Sequence, residues 1–145
     1  LRVETELAQG NAQAALTELG PQTDAVARPE LFLRAQAESR LGRAADTVSV
    51  LQSWLARRPG DTAAMQWLAG GYQAQGQPLR ALRTEAEIQV MRYDYQAAVD
   101  RFRAAQEMIR RGQTGRNPGD HVEASIIDTR LREVESLLRE QRLER

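Results

Sequence analysis

Apolar residues recur at intervals of three and four along most of the chain, the spacing of one buried stripe on an α-helix. The stripe is plain in Leu51 and Trp54, and again in Met65, Leu68, Ala69 and Tyr72. Read this way, the pattern predicts helices near 2–9, 12–19, 30–41, 44–57, 62–75, 79–91, 95–110 and 120–142. Pro21, Pro29, Pro59, Pro78 and Pro118 are expected between helices, where a missing N–H does least harm. Strand signals are absent. The predicted fold class is all-α.

The stripes repeat. Gly10-Asn11-Ala12-Gln13-Ala14-Ala15, Gly42-Arg43-Ala44-Ala45-Asp46-Thr47 and Gly76-Gln77-Pro78-Leu79-Arg80-Ala81 align on their glycines, which lie 32 and 34 residues apart. A fourth copy, Tyr93-Asp94-Tyr95-Gln96-Ala97-Ala98, follows only 17 residues later, so the helix over 79–91 is expected to serve two repeats. Leu31 and Ala35 fill the large and small slots of one first helix; Leu51 and Trp54 supply the core of its second helix, and Pro59 ends it. Met65, Leu68, Ala69, Tyr72, Gly76 and Ala81 take the matching slots of the next unit. This period and these slots resemble the tetratricopeptide repeat (TPR), a helical hairpin that stacks into an α-solenoid. Thr47 stands where Ala is usual, and Tyr93 where Gly would end a helix, so that turn is expected to take a different shape. Residues 1–111 are then repeats with a truncated first hairpin, 112–119 a loop, and 120–145 a C-terminal capping helix of the same domain.

In that last helix, Asp120 and Glu123 have capping-box spacing. Ala124, Ile127, Leu131, Val134 and Leu138 form an apolar seam, with Arg130, Arg132, Glu133, Arg139 and Glu140 on the opposite face. The seam is expected to cover the hairpin ending near Met108 and Ile109; the alternative is docking on another domain or a second copy.

Composition narrows the function. Twenty basic and twenty acidic residues give zero net charge, which argues against a dedicated nucleic-acid binder. Every basic residue is Arg, read as codon bias of a GC-rich genome. With no Cys and a single His, His121, the chain has no HExxH and no thiolate site. No catalytic, metal or cofactor residue is assigned, and no apolar run approaches the roughly 18 residues of a membrane span. Gly70-Gly71 reads as close helix packing, and Trp54 as structural. The start at Leu1 has neither initiator Met nor signal sequence, and reads as a fragment of a longer protein.

Two stretches resemble one family more closely. Asp120-His121-Val122-Glu123-Ala124-Ser125-Ile126-Ile127-Asp128-Thr129-Arg130-Leu131-Arg132-Glu133 is similar to the C-terminal signature of periplasmic zinc metalloproteases with a TPR tail, the β-barrel assembly-enhancing proteases. Leu79 to Glu87, followed by Tyr93 to Val99, resembles the shared-helix passage before it. The resemblance implies a non-catalytic interaction domain of a periplasmic protease in outer-membrane protein assembly and quality control. Its zinc would sit in an HExxH domain absent here. Its partners would be proteins or peptides: the barrel-assembly machinery, outer-membrane protein substrates and its own protease domain. A free-standing TPR adaptor without enzymatic activity is the alternative. Groove slots of such a domain fall on Phe32, Gln36, Arg40, Gln66, Gln73, Arg80, Arg83 and Glu87. Phe32, Gln36, Gln66 and Gly70 stand where a carboxylate clamp would need Lys and Asn, which argues against that ligand class.

Overall fold

The computed structural model of the protein describes residues 2–21 and 27–144; Leu1 and Arg145, the ends of two expected segments, lie outside the described residues. Eight helices and no strand are found among the described residues: α1 (Arg2–Ala8), α2 (Ala12–Leu19), α3 (Arg28–Arg40), α4 (Ala44–Arg57), α5 (Thr62–Ala74), α6 (Pro78–Met91), α7 (Tyr95–Arg110) and α8 (Asp120–Leu143). The chain divides into two compact units, Leu1–Gln75 and Gly76–Arg145.

In the first unit each helix packs on its successor, and α3 also meets α1 and α5. Leu7, Ala12, Ala15, Leu16 and Ala37 form one buried cluster. Leu31, Ala35, Leu51, Trp54, Met65, Leu68, Ala69 and Tyr72 are all buried, as their spacing predicts. Asp61 caps α5 by accepting from the Ala64 N–H at 3.2 Å. The same carboxylate accepts the Trp54 indole N–H at 3.0 Å and a two-pronged fork from Arg28 at 2.9 and 3.0 Å. Only Gly71 of the Gly70-Gly71 pair is a close-packing residue: a Cβ there would stand 2.8 Å from a Val48 methyl, whereas one on Gly70 meets nothing within 4 Å.

In the second unit α8 lies against α7 and α6. Ile127, Leu131, Val134 and Leu138 join Leu79, Ala86, Ala98, Val99, Phe102 and Ala105 in one core. Ala124, at the start of the seam, is only half-buried. Two-pronged forks tie α8 to α6. Arg83 donates to Glu123 at 2.6 and 2.9 Å, and Arg130 to Glu87 at 2.8 and 3.0 Å.

Three local expectations change. Tyr93 adopts the left-handed backbone, φ 60°, so its turn keeps the shape of those at Gly10, Gly42 and Gly112. At all four positions the N–H bonds the carbonyl three residues back, and the next N–H bonds the carbonyl five back. Making these bonds offsets the strain of an ordinary side chain at positive φ. Pro29 and Pro78 lie inside the first turns of α3 and α6, where an N–H has no intrahelical partner to lose. Asp120 is the first helical residue of α8 and not its cap. Gly119 takes that place, and the Asp120 carboxylate instead accepts from the Gly115 and Asn117 N–H groups at 2.8 and 3.3 Å.

Candidate functional site

The groove positions predicted from the repeat fall five in the first unit and three in the second, and their surroundings differ. Helix α3 carries Phe32, Gln36 and Arg40 on one side because they are four residues apart. Phe32 and Gln36 are half-buried and Arg40 is exposed. The Arg28 guanidinium sits 4.6 Å from the Phe32 ring centroid, a cation–π contact, while Arg40 donates to the Leu7 carbonyl. Gln66 and Gln73 of α5 are exposed. Within this unit a small cleft of about 100 Å³ is lined by Trp67 and the small residues Gly70, Gly71 and Ala74, with Ser39, Gly42, Ala44 and Thr47 opposite. Trp67 is half-buried.

Arg80, Arg83 and Glu87 of α6 are engaged by α8. Arg83 forks Glu123, the Arg80 guanidinium lies 3.6 Å from the same carboxylate, and Glu87 receives Arg130. Within the second unit, then, all three side chains are ion-paired to α8. Sequence spacing placed them on one helix face correctly but could not show that α8 occupies it, because their partners are 40 to 43 residues away.

The electrostatics of the first unit centre on two acids. The Arg28 fork holds the Asp61 carboxyl well below the usual carboxylate range, helped by the Trp54 and Ala64 bonds against the opposing effect of burial. Glu38 goes the other way. It is 3% exposed, its Oε1 has no hydrogen-bond partner, and burial pushes its pKa up to about 7. Asp46 pushes in the same direction, while Arg34 and Arg43 oppose it.

No group of three His, Cys, Asp or Glu side chains among the described residues is placed to hold a metal ion. The donor set does not fit the two-His zinc site of an HExxH protease, since the chain's one His, His121, is exposed at the start of α8. No helix among the described residues is long and apolar enough to cross a membrane. No family model, curated protein or solved structure matches this chain. The arrangement therefore has to be read from its own geometry: half-buried and exposed polar positions on α3 and α5 that can contact a peptide, beside a cleft the size of one modest side chain.

Proposed function

We propose that this chain is a TPR-type protein-interaction domain of a periplasmic zinc metalloprotease that acts in outer-membrane protein assembly and quality control. The observation that carries the interaction reading is one turn form recurring at positions 10, 42, 93 and 112, each time at the end of a helix. Hairpins of this kind bury one face in their neighbours and leave side chains of the other open to a ligand. In this chain the positions offered for that role are Phe32 and Gln36, half-buried, and Arg40, Gln66 and Gln73, exposed, all in the first unit. The protease parentage rests on the likeness of residues 120–133 to that family's C-terminal signature.

Immobilised chain should retain an unfolded outer-membrane barrel protein or a component of the barrel-assembly machinery. Gln66→Glu combined with Gln73→Glu should weaken that capture while leaving helicity unchanged, since both side chains are exposed. Retention of neither class of partner would overturn the reading. The free-standing adaptor draws on the same hairpins. An HExxH-encoding segment upstream in the same reading frame supports the protease parent, and an initiator codon directly before Leu1 supports the adaptor.

A further inference from the structure

Three of the four turns of the recurring form place glycine at the left-handed position, and the fourth places Tyr93 there. The turn itself has no use for the ring. Its bonds are made by the backbone N–H groups of Tyr93 and Asp94, and by the Tyr93 carbonyl accepting from Gln141 at 2.9 Å. A side chain kept where the backbone disfavours it points to a role for that side chain. Tyr93 is 71% exposed and its ring meets Tyr95 edge-on, with centroids 6.4 Å apart and planes at 83°.

The two rings wall an open cleft of about 370 Å³, completed by Leu137, Glu140, Gln141 and Glu144 at the end of α8. Glu140 and Glu144 have no side-chain partner among the described residues. Elsewhere in the second unit the carboxylates are hydrogen-bonded or ion-paired, Glu85 excepted. The C-terminal end of a helix adds partial negative charge, and the faces of the rings add more. Carboxylates, helix end and aromatic faces all favour a cation, and no cationic side chain among the described residues lines the cleft.

The first unit shows which cation suits such walls. Arg28 lies over Phe32 at 4.6 Å while forking Asp61, so one guanidinium uses an aromatic face and a carboxylate at once. A flat guanidinium can do both together, whereas an ammonium is a point charge. We infer that the Tyr93–Tyr95 cleft receives an arginine side chain from a basic segment of a partner protein, stacked on the tyrosine pair and bonded to Glu140 and Glu144. The site shares no residue with the surface of the proposed function and stands independently of it.

The test is a fluorescence-anisotropy titration of the 145-residue chain into a labelled Gly-Arg-Gly-Arg-Gly-Arg-Gly peptide. Its citrulline counterpart, which keeps the shape and loses the charge, runs beside it. The arginine peptide should bind, more weakly as salt rises, and the citrulline peptide at least about tenfold less tightly. Tyr93→Gly suits the backbone at φ 60°, so its melting temperature should equal or exceed that of the wild type. Its affinity should fall about fivefold, as should that of Glu140→Gln. Should the glycine variant melt lower, Tyr93→Asn, whose side chain also tolerates this region, carries the same expectation. Absence of binding by the wild type, equal binding of the citrulline peptide, or undiminished affinity of the tyrosine variants would each overturn the inference.

Discussion

Glu38 in the first unit and Glu123 in the second are acidic side chains only 3% and 6% exposed, yet their surroundings are opposite. Glu123 receives both prongs of Arg83 and has Arg80 close by. Glu38 has Arg34 one helical turn away, but Arg34 gives its Nη2 to the Gly20 carbonyl at 2.6 Å, and Glu38 Oε1 is left without a partner. An Arg at four-residue spacing is thus no guarantee of a pair: here the free carbonyl at the end of α2 holds it instead. The second unit uses its buried carboxylate as a clamp. The first carries one as a liability that protonation relieves.

The comparison breaks most visibly if α8 is held by its forks alone. Its seam should matter more: Leu131→Ala is expected to cost about 2–5 kcal/mol in the second unit, read by hydrogen exchange of the α6–α8 amides. Arg132→Ala, on an exposed neighbour, should stay within about 0.5 kcal/mol. A mild effect of Leu131→Ala would hand the main role to the ion pairs.

The next effect is a pH slope. Because the folded protein raises the Glu38 pKa to about 7, the folded state binds the proton more tightly than the unfolded chain. Stability of the first unit should be greatest near the ordinary carboxylate pKa of about 4 and decline by about 2 kcal/mol toward pH 7. Glu38→Gln should flatten that slope in urea unfolding followed across this range. Asp61 acts in the opposite sense: its pKa is depressed, so its contribution is present at neutral pH and fades as acid protonates it. An unchanged slope in Glu38→Gln would mean that another group titrates.

Glu123→Gln sharpens the contrast, because the same substitution should have the reverse sign at neutral pH. It removes a charged acceptor from Arg83 and should destabilise the second unit by about 2 kcal/mol, the range for hydrogen bonds to charged groups. Arg80 and Arg83 are 31% and 30% exposed and recover water, which keeps the loss below that of a sealed pair.

Smaller effects, of opposite sign, come from two adjacent glycines of α5. Gly70→Ala meets nothing and should gain about 0.5–1 kcal/mol, because Ala loses less conformational entropy than Gly on folding into a helix. Gly71→Ala makes the same gain but drives its Cβ against a Val48 methyl, so a net loss of about 1 kcal/mol is expected. Thermal melts of both variants check the pair; equal shifts would show that α4 and α5 part easily.

Much of the fold was legible because it is local. Helix positions and buried slots follow from the 3.6-residue period, so Leu31, Leu51, Trp54, Tyr72, Ile127 and Leu131 could be assigned to the core from spacing alone. Glycine at 10, 42 and 76 announced the turns for an equally local reason, the absence of a Cβ. The candidate surface was less legible. Which residues share a helix face is set by sequence, but whether another helix covers that face depends on chain segments tens of residues away. That Phe32, Gln36 and Arg40 share one side of α3 follows from spacing; that α8 engages Arg80, Arg83 and Glu87 does not.

The amino-acid order determined by itself where helices run, which side of each is apolar and where the chain turns, since these depend on neighbours within about one helical turn. Tertiary structure alone decided which charges meet: Glu123 with Arg83, Glu87 with Arg130, and Glu38 Oε1 without a hydrogen-bond partner while Arg34 bonds a carbonyl 14 residues earlier. It also decided that Tyr93 stands left-handed beside Tyr95, with Glu140 and Glu144 lining the same cleft. Hydrogen bonds and ion pairs act over a few ångströms. Side chains from distant helices therefore acquire partners, or fail to, only once packing has brought those helices together.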